Sequence, residues 1–229
     1  MEHFGARARF AISFIGIFII ILMIKAFLAL NFDPVIYDLK ISGNAFLNPQ
    51  YIKERILPIG GVHLSELKIP FDSFIKSYKI RYIGNGIAEL MLKERKPKFV
   101  VATQDGYFLT SKDGFFLLKL SKDELYRATG YKIFFNVDPT SLDERGIINP
   151  KILSNINTVL SYPKWFGKLV LEVDLDKKTL YLVKGITVKV NDLNLSKSYE
   201  LAIIKLIENS RIGSRYLVVG QNFVRLPDR

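Results

Sequence analysis

The chain of 229 residues contains no cysteine. It therefore has no disulfides, no thiolate metal ligands and no thiol nucleophile, and its fold must be held by packing alone. Histidine is almost as scarce: only His3 and His63 occur, and neither sits in a metal-ligand or catalytic spacing. The chain lacks a G-x-S-x-G elbow, a P-loop and a G-x-G-x-x-G turn, which removes the common nucleophile and phosphate-cradle signatures. Asp174 and Asp176 are the one pair of neighbouring carboxylates worth weighing for acid–base work. However, Asp176-Lys177-Lys178-Thr179 reads as a hairpin turn. No residue is assigned to catalysis, to a cofactor or to a metal. Acidic residues are also in short supply, 22 against 33 Lys and Arg, giving a net charge of +11. Internal repeats and low-complexity linkers are absent.

What is present in excess is a long apolar run, Phe10 to Leu30, in which fourteen of 21 residues are Ile, Leu or Phe. As a helix at about 1.5 Å per residue it would cover roughly 31 Å, the thickness of a bilayer's hydrocarbon core. The run is apolar on every face, so it is expected to be a single transmembrane helix in contact with the lipid bilayer. Lys25 lies close enough to one end to snorkel to the head groups. Arg7 and Arg9 sit in the short tail 1–9, which places that tail in the cytoplasm and residues 31 onward outside the membrane. The run is long for a cleaved signal and no A-x-A site follows it, so a retained anchor is expected. Removing the first 30 residues leaves 30 basic against 21 acidic residues, or +9. This excess suits an acidic protein partner or anionic lipid heads. A domain outside the cytoplasm is not expected to bind nucleic acid.

Beyond the anchor the pattern predicts an α+β chain. Val35 to Ile41 reads as a strand. Asn48-Pro49 caps a helix from Pro49 to Leu57, with Ile52 and Ile56 on one face. A second helix is expected from about Pro70, carrying Phe71, Phe74 and Ile75. Lys79 to Ile83 and Ile87 to Glu94 form a hairpin around Gly84-Asn85-Gly86. Pro97 marks a junction, and Glu94 and Arg95 are expected to be an exposed strand end. A meander follows at Phe99–Thr103, Tyr107–Thr110 and Phe115–Leu120, turned by Asp105-Gly106 and Asp113-Gly114. Further strands are expected at Tyr131–Val137, Lys168–Leu175, Leu180–Val183 and Ile186–Val190. Leu169, Leu171, Val173 and Leu175 should share one face. Helices are expected at Pro150–Leu160 and Leu195–Ser210. The chain closes with Tyr216–Val219, a turn at Gly220-Gln221, and Phe223–Leu226.

Strand-helix-helix-strand-strand followed by a larger β region resembles the FtsQ/DivIB family of bacterial cell division proteins. The resemblance rests on the run from Val35 to Leu57, on Ile41, Gly43 and Asn44 at the family's V-x-G-N start, and on Glu94-Arg95-Lys96-Pro97 at its E-R-x-P hinge. Asp113-Gly114 stands in the hairpin that opens its β domain. The resemblance implies a cytoplasmic tail at 1–9, a transmembrane helix at 10–30, a small POTRA domain (β-α-α-β-β) at 35–96, and a mixed β-rich domain with helices at 97–229. It also implies a division scaffold and not an enzyme. Its partners would be FtsB/DivIC-like and FtsL-like proteins, with a link to the septal peptidoglycan synthase.

The family's partner docks on the C-terminal sheet edge of the β domain, and the residues at that place here are Tyr216, Leu217, Val218, Val219, Phe223 and Val224. An open sheet edge offers unpaired N–H and C=O groups to which another chain can add a strand. Tyr216 and Phe223 are the expected side-chain anchors. Two other classes fit parts of the pattern. One is another POTRA-bearing protein of secretion or outer-membrane assembly, which should continue into barrel strands. The other is an anchored cell-wall enzyme with an unfamiliar site, which should show ionisable groups converging in a cleft.

Overall fold

The structure is a computed structural model that describes residues 17–25, 33–128, 130–137, 146–220 and 222–227. Within the apolar run, residues 17–25 form a helix, α1, whose side chains are exposed. Among the described residues no helix is long and apolar enough to cross a membrane. This corrects the expected transmembrane helix; residues 10–16 and 26–30 of that expectation, and the tail 1–9, lie outside the described residues.

The described chain divides into two compact units. The first holds the residues up to Phe71 together with Ser77–Lys93; the second holds Asp72–Lys76 and the residues from Glu94 onward. In the first unit β1 (Val35–Ile36) pairs antiparallel with β3 (Val62–His63). A three-stranded sheet has the order β2 (Asp38–Ser42), β5 (Ile87–Glu94), β4 (Ile75–Gly84), with β2 and β5 parallel; Ile75 and Lys76 of β4 and Glu94 of β5 are counted with the second unit. Alternation along β5 buries Ala88, Leu90 and Leu92, and the helix α2 (Pro49–Ile56) buries Ile52 and Ile56, four residues apart. Asn48 caps α2 by accepting from the Gln50 amide, with proline at the first helical position;. The turn after β2 requires glycine: Gly43 has φ +79°, and a Cβ there would lie 2.2 Å from the Leu92 carbonyl oxygen. Asn85 and Gly86 both take positive φ in the β4–β5 hairpin, as their turn type demands;.

The helix expected from Pro70 does not form. Asp72 closes a turn instead, accepting from the Phe74 amide through its side chain and from the Ile75 amide through its carbonyl. β4 then begins at Ile75, in a run rich in Ile and Tyr that suits a strand;. Between β3 and β4 the helical structure is a 3₁₀ turn at Leu64–Glu66.

The second unit is built on one nine-stranded mixed sheet of order β14-β13-β12-β11-β10-β9-β6-β7-β8. Its strands are β6 (Pro97–Thr103), β7 (Gly106–Ser111), β8 (Phe116–Leu120), β9 (Ile133–Phe135), β10 (Val170–Asp174), β11 (Thr179–Leu182), β12 (Thr187–Lys189), β13 (Arg215–Val219) and β14 (Asn222–Leu226). Two antiparallel meanders, β6-β7-β8 and β10-β11-β12, are joined by β9, which runs parallel to both β6 and β10. Between β9 and β10 the chain forms α4 (Pro150–Leu160) and α5 (Lys164–Gly167). Between the parallel strands β12 and β13 it forms α6 (Lys197–Asn209). Ile156 and Val159 of α4 and Ile203 and Ile207 of α6 pack with Phe99, Phe134, Val173 and Leu180 of the sheet in one core. Phe99 and Phe134 meet edge to face at 5.5 Å;.

Two local differences from the sequence pattern have clear causes. A register shift between Val170 and Glu172 makes Leu171 the extra residue of a bulge, so Leu171 is 49% exposed while Val173 is buried;. The helix α3 (Lys122–Arg127) follows β8 through a capping box, in which Ser121 and Glu124 bond each other's backbone amides;.

Candidate functional site

The C-terminal ribbon is positioned by α6. Ser196 caps that helix by accepting from the Tyr199 amide. Past its end, Gly213, at φ +79°, turns the chain back, and its amide donates to the Lys184 carbonyl. The Thr187 amide donates to the Ser214 carbonyl, which sets β13 alongside β12. β13 and β14 then pair antiparallel, with Tyr216 opposite Arg225, Leu217 opposite Val224, and Val218 opposite Phe223.

This register sorts the six expected residues by face, because neighbours along a strand point to opposite sides of the sheet. Tyr216, Val218 and Phe223 lie on the side of the core: Val218 is buried and the other two pack against the core cluster. The Tyr216 hydroxyl lies 2.6 Å from Ser210 Oγ at the end of α6, and the Tyr199 hydroxyl donates to the Gly220 carbonyl. The two aromatic residues expected to anchor a partner are therefore used inside the unit. Leu217, Val219 and Val224 point the other way, and Val219 and Val224 are 54% and 47% exposed.

The register also decides which strand is terminal. β13 is paired on both sides, by β12 and β14, while β14 is the last strand of the sheet. Among the described residues no strand runs along its outer side. The terminal strand of the sheet is thus β14 and not β13. The expected strand Phe223–Leu226 starts one residue earlier, at Asn222, after the turn expected at Gly220, whose φ is +62°.

Several ionisable groups elsewhere have structural partners. Asp174 is buried and accepts from the Lys177 amide and from Asn136 Nδ2, both at 2.8 Å, so it closes the β10–β11 turn. Asp33 accepts from the amide and hydroxyl of Ser65, and these bonds hold its carboxyl below the usual range. His63 Nδ1 lies 3.5 Å from Asp33 in an exposed position. Burial pushes the Tyr162 phenol above its ordinary value, reinforced by Glu200 and Asp192, and its hydroxyl donates to the Leu193 carbonyl. Burial lowers the Lys132 ammonium, which donates to the Gly167 and Val170 carbonyls. A cavity of about 100 Å³ lies between the 190–195 loop, Tyr199 and Val218. Among the described residues no group of three or more His, Cys, Asp or Glu side chains is placed to hold a metal ion.

A family profile described as "Domain of unknown function (DUF4894)" matches residues 100–224, more than half of the chain. The chain belongs to the DUF4894 family. The DUF4894 stretch begins inside β6 and ends inside β14, so it takes in every strand of the nine-stranded sheet and both crossover connections. The six residues of the candidate site all fall within it. No curated protein matches the chain.

Proposed function

We propose that this DUF4894 protein is a non-catalytic scaffold of the bacterial division machinery. It acts on the extracytoplasmic side of the cell membrane, where it captures an FtsB/DivIC-like partner together with FtsL and links them to the septal peptidoglycan synthase. The observation that carries the reading is the terminal position of β14, beside exposed Val219 and Val224. A strand added there would gain register from main-chain hydrogen bonds and discrimination from the alternate side chains. The resemblance in Ile41-Gly43-Asn44 and in Glu94-Arg95-Lys96-Pro97 supplies the division context. Asp174, Asp33, Tyr162 and Lys132 each have a structural partner, which fits a protein that binds and does not convert.

The test exploits strand geometry. Adjacent amides of β14 point to opposite sides, so of Val224→Pro and Arg225→Pro one removes an inward donor and the other an outward donor. Both are made, and circular dichroism identifies the variant that keeps the fold. That variant should bind the cognate FtsB/DivIC-like protein at least about tenfold more weakly by titration calorimetry, since several edge bonds are lost together. Binding at wild-type strength by the folded variant would remove β14 as the docking edge.

A further inference from the structure

We propose that Arg95 is a clasp that builds residues 73–75 into the second unit, so that this unit is discontinuous in sequence and starts well upstream of the DUF4894 stretch. Asp72–Lys76 already cluster with the residues from Glu94 onward and not with their immediate neighbours in the chain. Arg95 explains how. Its backbone amide donates to the Phe74 carbonyl at 2.7 Å. Its guanidinium donates through Nη1 to the Ser73 and Ile75 carbonyls at 3.0 and 2.5 Å, and through Nε to Asp113 Oδ2 at 3.0 Å. The same group lies over the Phe115 ring, 3.5 Å from its centroid. Ser111 Oγ donates to the other Asp113 oxygen and fixes the carboxylate in place.

An arginine at a solvated strand end would leave its head group in water. Here the side chain is only 9% exposed, a placement that is costly unless the charge is paired and its donors are used. The planar fork is needed: it bonds two carbonyls and a carboxylate at once while stacking on an aromatic face, which a lysine ammonium cannot do. The upstream segment is thus held by one residue at three successive carbonyls, by the side chain at Ser73 and Ile75 and by the backbone amide at Phe74, and the profile-matched stretch from residue 100 omits both the clasp and what it grips.

The test uses the full chain and hydrogen–deuterium exchange. In Arg95→Met, the amides of Phe74, Ile75 and residue 95 should exchange at least about tenfold faster, while those of α6 keep their wild-type rates. Arg95→Lys retains the charge and serves if the methionine variant does not fold; it should show the same local loss, because one ammonium cannot replace the fork. Wild-type exchange at residues 74, 75 and 95 in either folded variant would overturn the proposal. So would a uniform increase across α6, which would mark Arg95 as a general contributor to stability and not a clasp.

Discussion

Glu200 is the residue whose burial has the plainest thermodynamic consequence. It is 4% exposed on α6, and desolvation raises its carboxyl above the usual value, only partly offset by Lys197. A carboxyl raised in the folded state binds its proton more tightly there than in the unfolded chain. Stability is therefore lost as pH rises from about 4.5 through the folded value, and the deficit persists above it. Glu200→Gln removes the titration. Its melting temperature should exceed that of the wild type by more at pH 8 than at pH 4, measured by scanning calorimetry; an equal difference at the two pH values would show that Glu200 ionises in the fold without cost. Asp113 has the opposite sign. Burial would raise it, but the bonds from Ser111 and Arg95 outweigh burial and hold it low. The stability it contributes is present above the unfolded value of about 3.8 and is lost as pH falls through the folded one.

At the scale of elements, α4 shows what a crossover helix contributes. Ile156 is fully buried between α4 and the sheet. Ile156→Ala should lower unfolding free energy by about 2 to 5 kcal/mol, read from urea denaturation, because the cavity cannot fully collapse. Much of this layer was legible in the sequence. Asn149-Pro150 announced α4 through capping chemistry, the spacing of Tyr199, Ile203, Leu206 and Ile207 announced α6, and Asn85-Gly86, Asp105-Gly106 and Asp113-Gly114 announced their hairpins as turn pairs. What was not legible depended on partners distant in sequence. Phe71, Phe74 and Ile75 have helical spacing, but Asp72 makes a turn and the Ile- and Tyr-rich run after it pairs as β4. Leu171 fits an alternating face, but a bulge set by its pairing with β11 turns it outward. Arg95 looked like a solvated strand end because its acceptors lie some 20 residues away on either side. The expected edge took in residues of both β13 and β14, and which of these two neighbouring strands is terminal depends on β13 finding a partner in β12.

At the scale of the whole molecule, the division reading makes a claim about cells. Depletion of the protein should give filaments or chains of undivided cells, scored by microscopy with a membrane stain; normal septation after depletion would sink the reading, whatever β14 binds in a test tube. The sheet's layout has a further consequence for how the molecule is made. β9 contributes three residues, yet it bonds β6 through Val100 opposite Ile133 and β10 through Ile133 opposite Glu172. On a ribosome the first meander and β9 emerge well before β10, which begins at Val170 while β9 ends at Phe135. Until then the side of β9 that β10 will occupy has no partner, although α4, which emerges first, already carries Ile156 and Val159 to pack with Phe134. The interval between those two strands leaves an unpaired strand side on the nascent chain, and it closes only when β10 arrives;.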